Sequence, residues 1–144
     1  MPNDATHRVI NYLTLSVFLV ANFYFNIEND FKMVIIFMIT YVLGTELFSP
    51  DLDTWSKPCK RLGVLSYPIR KLSKHRGIGH NILFGWLLKV VYIYIIALLM
   101  LFGANKLGYD FYWILGYINK EMILSSLAGL LLSNAVHIIT DKIL

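Results

Sequence analysis

Cysteine and charged residues are both scarce in this chain, and each shortage limits the kind of protein that it can be. Cys59 is the only cysteine, so no disulfide can form within the chain, and we expect this thiol to be incidental. Charged residues make up 15% of the 144 residues, whereas hydrophobic residues make up 57%. Together with a mean hydropathy of +0.60, this balance departs from soluble usage and predicts that lipid surrounds the core.

The chain also lacks the features of a secretory signal, a repeat or a low-complexity tract. Asn11, Asn22 and Asn26 interrupt the first apolar run, and no small-residue cleavage site follows it. We therefore expect the first run to remain part of the structure. The length suits one domain, residues 1–144.

Four apolar segments predict an all-α fold, an integral membrane four-helix bundle. They carry almost no charge and are apolar around the whole helix, which argues against one-sided helices of a soluble protein. The predicted transmembrane helices are residues 9–27, 33–48, 82–102 and 122–139. Residues 108–118 are too few to cross a bilayer and are rich in Tyr and Trp, which predicts an interfacial segment.

The positive charges predict the orientation. Seven cations lie in the loop 49–80, and Arg8 and Lys142 lie on its side, whereas three lysines lie opposite. Cations in short loops favour the cytoplasm, so we expect a multi-pass protein of the inner or plasma membrane with both termini and this loop cytoplasmic. Lipid headgroups are a better partner for these cations than nucleic acid, because no interleaved aromatic platform or binding motif is present.

Imidazole and carboxylate side chains fall at the ends of the apolar runs that this topology brings to one face. Such groups are costly at a membrane boundary unless something binds them, so they predict a metal site. The candidate ligands are His7, Asp51, Asp53, His75, His80, His137 and Asp141.

Two of these pairs have spacings that suit a shared ion. His137 and Asp141 are four residues apart near a helix end, and therefore lie on one helix face. Asp51 and Asp53 point the same way in an extended stretch. Each pair also has a simpler reading: a histidine bonded within the bundle beside a solvated carboxylate, and a helix cap or Asx turn after Pro50.

Three residues are candidates for a catalytic role. His75 and His80 need a bend to reach one centre, which glycines between them supply, so His75 is either a ligand or a proton-transfer group. Arg76 is suited to hold an anionic substrate or to pair with a loop aspartate. Glu46, in the last turn of the second helix, is either an extra ligand or base, or a protonated carboxyl bonded to a neighbouring hydroxyl.

A ligand set of imidazoles and carboxylates without thiolates fits one or two divalent ions, namely Zn, Mn or Fe. Two ions sharing an aspartate would polarise a phosphoryl or acyl group, which predicts hydrolysis of an anionic small molecule or a lipid-derived phosphoester. The alternative is a membrane metal-binding or metal-handling protein without catalysis. A third reading is a helical subunit whose polar residues only cap helices.

These motifs resemble those of the YdjM-like membrane-bound metal-dependent hydrolases, and still more those of the related uncharacterised membrane metal-binding proteins. The resemblance covers residues 44–86 and 137–141, with Thr6-His7 matching an amino-terminal Thr-His. It implies a membrane metal site formed by the Pro-Asp-x-Asp element, the His-Arg loop and the final His-x-x-x-Asp. Gly79 departs from the Ser or Thr expected there, and Leu62 from an aromatic residue, so the resemblance implies metal binding more strongly than catalysis.

Two smaller expectations concern the helices themselves. We expect Lys89, inside the third predicted span, to extend its amine to the cytoplasmic interface. Small residues on the last helix predict self-association into a homo-oligomer. They are Ser125, Ala128, Gly129 and Ser133.

Overall fold

The computed structural model describes residues 4–53, 55–72 and 81–144. Within those ranges every regular element is helical, which confirms the all-α prediction. The α-helices are α1 (Asp4–Phe25), α2 (Phe31–Glu46), α3 (Lys57–Leu62), α4 (Ser66–Leu72), α5 (Ile82–Lys106) and α6 (Lys120–Ile143). Short 3₁₀ turns cover Pro50–Asp53, Gly63–Leu65 and Tyr112–Tyr117.

Polar caps set the beginnings of three long helices. Asp30 accepts a hydrogen bond from the Lys32 amide at 2.8 Å before α2, and Asn119 accepts one from the Met122 amide at 2.8 Å before α6. Asn81 does the same for two amides at the start of α5. Such caps satisfy amides that have no partner in the first turn of a helix.

Among the described residues, three helices are long and apolar enough to cross a membrane: α1 from Ala5, α5 and α6. The predicted second span, residues 33–48, overlaps the 16-residue α2, which ends two residues earlier, at Glu46. At 1.5 Å per residue α2 is about 24 Å long, somewhat less than the roughly 30 Å of a hydrocarbon core. The predicted interfacial segment contains the 3₁₀ turn Tyr112–Tyr117, whose side chains are exposed.

Helices α2 and α6 pack closely through small residues. A Cβ on Gly129 would lie 2.6 Å from the Phe37 carbonyl oxygen, and one on Gly44 would lie 3.2 Å from the Ser133 Cβ. The Ser125 hydroxyl donates to the Met33 carbonyl oxygen at 2.6 Å. Small residues let membrane helices approach in this way. Ser125, Gly129 and Ser133, which predicted contacts between chains, therefore serve packing within the chain.

The short helices α3 and α4 rest on the turn Pro50–Asp53. Leu52, Cys59 and Ile69 are almost fully buried and form one apolar cluster, against which Tyr92 of α5 packs. Tyr92 also donates its hydroxyl to the Leu65 carbonyl oxygen. This part of the loop is thus held against the helices.

Lys89 does not extend to the interface, contrary to expectation. Its side chain is buried, and its Nζ donates a hydrogen bond to Asn134 Oδ1 of α6 at 2.5 Å. Asn134 in turn donates from Nδ2 to the Ile82 carbonyl oxygen at 3.5 Å. An ammonium inside an apolar span is stable only with such polar partners, and the facing helix provides one.

Candidate metal centre

The start of α1, the end of α6 and the turn after α2 meet at one end of the protein. His7 comes from the first turns of α1, and His137 and Asp141 come from the end of α6. One ligand atom from each of these three residues lies within 4.8 Å of the others. Asp51, in the turn Pro50–Asp53, adjoins them.

Two imidazoles face two carboxylates in this cluster. His7 Nε2 lies 3.2 Å from Asp141 Oδ1, and His137 Nε2 lies 3.2 Å from Asp51 Oδ2. The distance from His137 Nε2 to the other oxygen of Asp141 is 3.7 Å. The two rings stack with centroids 3.9 Å apart and planes 11° apart, so that both imidazoles are held side by side.

The cluster is largely shielded from water. The exposed fraction of the side chain is 5% for His7, 6% for His137 and 12% for Asp141. Asp51, at 27%, forms the more open edge. Two carboxylates brought together in a largely buried site repel each other, and a bound cation would relieve both the repulsion and the desolvation cost.

The arrangement fits a divalent ion. His137 Nε2 is buried and, within the described residues, makes no hydrogen bond of good geometry although two carboxylates lie beside it. A metal–ligand bond of about 2.1 Å places tetrahedral ligands roughly 3.4 Å apart, so ligand atoms that lie within 4.8 Å of one another have to close by at most about 1.4 Å. Two nitrogen and two oxygen donors without a thiolate suit first-row divalent ions.

Ser49 orients His137. Its Oγ lies 3.5 Å from His137 Nδ1 and also accepts a hydrogen bond from the Asp51 amide at 3.3 Å. A proton on Nδ1 leaves the Nε2 lone pair directed at the carboxylates, as is usual for histidines that bind metals. One hydroxyl therefore contacts both an imidazole and the turn that carries Asp51.

Hydrogen bonds from α1 and α2 fix the backbone at His7. Asn11, one turn later, donates from Nδ2 to the His7 carbonyl oxygen at 3.0 Å. The Tyr41 hydroxyl of α2 donates to the Asn11 carbonyl and side-chain oxygens at 3.0 and 3.1 Å. Both Asn11 and Tyr41 are buried, so the first turns of α1 have a defined position.

Glu46 has other partners. Arg8 Nε donates to Glu46 Oε1 at 2.8 Å, and the Tyr12 hydroxyl donates to the same oxygen at 2.6 Å. Arg61 of α3 pairs with the second carboxylate oxygen. Glu46 thus ties the end of α2 to α1 and α3, and its carboxylate is held by two guanidinium groups.

The remaining predicted residues lie outside the described part of the structure. They are His75, Arg76, His80 and the side chain of Asp53. Conversely, sequence reasoning missed Ser49, Asn11 and Tyr41 as positioning residues. Asn11 had a signal, since it is four residues after His7 on the same helix face, whereas the contacts of Ser49 and Tyr41 join distant parts of the sequence.

Comparison with protein families agrees with a metal-binding role. The family described as "Uncharacterized metal-binding protein (DUF2227)" matches residues 2–144. The chain belongs to this family. Membership supports the metal-binding part of the resemblance found in the sequence, and it carries no evidence for the YdjM-like hydrolases specifically.

A curated relative adds a partial match. An uncharacterized protein of Aquifex aeolicus (strain VF5) is 46% identical over 61 residues, which cover 40% of this chain and 43% of that protein. The match therefore spans less than half the length of either protein. No solved structure matches the chain.

Proposed function

We propose that this chain is a membrane protein that binds a divalent transition metal ion through His7, Asp51, His137 and Asp141. The observation that carries the proposal is the meeting of three buried or nearly buried side chains, His7, His137 and Asp141, with ligand atoms within 4.8 Å of one another. Membership of a metal-binding family supports the same conclusion.

The donor set favours zinc, with manganese and iron as alternatives. Zinc accepts four imidazole and carboxylate ligands in a tetrahedral arrangement, and the four side chains supply two of each. Asp53, His75 and His80 remain proposed ligands, and with them the loop would complete a second ion site.

We place the centre at the cytoplasmic face. The count of cations in the short loops supports this orientation, with both termini and the loop 49–80 on the inner side and four helices crossing the bilayer.

A second candidate function is metal-dependent hydrolysis, favoured by the partly open edge at Asp51, which is 27% exposed. A divalent ion would supply Lewis acidity toward a phosphoryl or acyl oxygen. In this proposal Arg76 binds the substrate anion and His75 transfers protons. Glu46 is a second candidate base. The substrate is an anionic small molecule or a lipid-derived phosphoester.

Elemental analysis of purified protein tests metal binding. Protein purified in detergent without chelator should contain about one ion per chain, or two if the loop ligands form a second site. Asp141→Asn should lose most of that metal, because it removes a carboxylate ligand. Asp30→Asn is the matched control. It makes the same chemical change at the start of α2, the end opposite Glu46, and asparagine also caps helices.

The outcome separates the alternatives. Wild-type protein without metal, or Asp141→Asn with an unchanged metal content, would reject the proposed centre and favour a purely structural subunit. A metal-loaded protein that hydrolyses phosphoesters or acyl esters, and loses that turnover in Asp53→Ala, would establish the hydrolase. Metal binding without turnover on a broad panel of both ester classes would leave the metal-binding role and reject catalysis.

A further inference from the structure

A groove lies between α3 and α4, separate from the metal centre. Its volume is about 390 Å³, and two cations, two aromatic rings and an aliphatic side chain line it. These residues are Trp55, Lys60, Val64, Tyr67 and Arg70. The combination is amphipathic, so the groove suits a ligand with a charged end and an apolar end.

Arg70 provides the charge-binding end. Its guanidinium carbon lies 4.5 Å from the centre of the Trp55 ring, which holds the side chain in one orientation. Its Nη1 atom is buried and makes no hydrogen bond to any residue that the structure describes. A buried guanidinium donor without an acceptor is costly. Arg70 also lines the groove, where an anion would accept hydrogen bonds from its guanidinium.

The surrounding charge is positive. No aspartate or glutamate occurs in the sequence between Asp53 and Asp110. Lys60 lines the groove, and Lys71 is exposed on α4 next to Arg70 in the sequence. Arg61 pairs with Glu46, which Arg8 also contacts, and Arg61 does not line the groove.

The apolar side of the groove is open. The exposed fraction is 89% for Val64 and 74% for Trp55, and Tyr67 is also exposed. The segment connects α2, which ends at Glu46, to α5, which begins at Ile82, so it lies where membrane helices leave the bilayer. Exposed aromatic and aliphatic side chains beside cations are typical of residues at the headgroup level.

We propose that this groove binds the phosphate of one anionic phospholipid of the adjacent leaflet. Arg70 would donate to the phosphate oxygens, Lys60 would add a second charge, and Val64 and Trp55 would contact the glycerol and upper acyl chain. The inference goes beyond metal binding and does not depend on it. The two sites adjoin through the turn Pro50–Asp53, whose Leu52 packs against Cys59 and Ile69.

Native mass spectrometry of the full chain in neutral detergent tests the proposal, with phosphatidylglycerol and phosphatidylcholine as probes. We expect one phosphatidylglycerol to be retained at concentrations at which phosphatidylcholine is not. Arg70→Gln should weaken retention roughly tenfold, since it removes both a charge and the donors aimed into the groove. Lys60→Gln should weaken it roughly fivefold, as expected for one cation at a lipid surface.

Lys71→Gln is the matched control, because it removes the same charge from an exposed position that does not line the groove. Its retention of phosphatidylglycerol should change less than twofold. Weaker binding by Lys60→Gln would not be explained by misfolding, because Lys60 is exposed and its replacement leaves the Leu52 cluster unchanged.

Three results would overturn the proposal. Equal retention of the two lipids would show that the groove does not select an anion. Equal weakening by Lys71→Gln and Lys60→Gln would show diffuse attraction rather than a site. Displacement of the lipid by millimolar inorganic phosphate would show that the groove recognises the free anion instead of a phospholipid.

Discussion

Tyr41 holds the first turns of α1 although it belongs to α2. It is fully buried, and its hydroxyl reaches both oxygens of Asn11, which in turn bonds to the carbonyl of His7. Removing this hydroxyl leaves buried acceptors without their donor, and such losses destabilise proteins.

We expect Tyr41→Phe to lower the free energy of unfolding by about 1 kcal/mol, the usual size of such a hydrogen bond within a membrane. Unfolding in mixed detergent–SDS micelles measures the change. Tyr24→Phe is the control, because Tyr24 is 78% exposed and its loss should leave stability unchanged. Equal stability of the two variants would mean that Tyr41 does not anchor α1.

Lys89 illustrates a limit of reasoning from single residues. The position of Lys89 inside an apolar span correctly marks it as an unusual cation. That position and its long flexible side chain both favour extension of the amine to the interface. Its actual partner, Asn134, lies on α6, and nothing in the sequence around Lys89 indicates which helix will face it. Only packing determines that contact.

The contact between α2 and α6 depends on the absence of side chains. At Gly129 the nearest atoms to an added Cβ are Thr40 Oγ1 and the backbone oxygen of Phe37. A backbone atom in a helix cannot move aside locally, so the helices have to separate.

Gly129→Ala should therefore destabilise the protein by about 1 to 3 kcal/mol, the range for overpacked sites. Gly103→Ala, on α5, meets no atom within 4 Å and should be neutral or slightly stabilising, since alanine favours helix. Thermal unfolding in detergent compares the two. Similar stabilities would contradict the close approach of α2 and α6.

Glu46 joins three helices through its two arginines and Tyr12. We expect Glu46→Gln to lower the stability by about 1 kcal/mol, because both arginines are partly exposed and water screens the loss. The metal content should remain that of the wild type. A loss of metal as large as in Asp141→Asn would instead identify Glu46 as a ligand.

Helices were the most predictable feature of this chain, and their ends the least. The apolar runs indicated all four long helices, but α1 begins at Asp4 instead of residue 9, and α6 continues to Ile143 instead of ending at residue 139. Polar residues such as Thr6, His7 and Asp141 lower hydropathy without breaking a helix. Hydropathy therefore marks the part of a helix that suits lipid, and not the whole helix.

The proposed orientation has a direct test with single cysteines in a Cys59→Ser background. If both termini are cytoplasmic, a membrane-impermeant maleimide added to spheroplasts should label Glu28→Cys and Asp110→Cys but not Lys142→Cys. Permeabilised spheroplasts, in which all three should react, provide the control. The reverse pattern would place the metal centre on the outer side.

The candidate centre was predictable in part. His137 and Asp141 follow from their spacing on one helix, and Asp51 from its place after an apolar run. His7 carried almost no signal alone, because a histidine near a chain terminus is usually solvated. Its contact with Asp141 requires α1 and α6 to be neighbours, which is a property of the assembled helices.

The contact between His7 and Asp141 also constrains when an ion can be bound. His7 belongs to α1 and is synthesised well before Asp141 of α6, so the pair cannot form while α6 is still inside the ribosome. A nascent chain that lacks α6 carries only part of the ligand set. A chain that terminates before α6 never acquires the rest. Acquisition of the ion would thus have to follow the synthesis of α6 and its packing against α1.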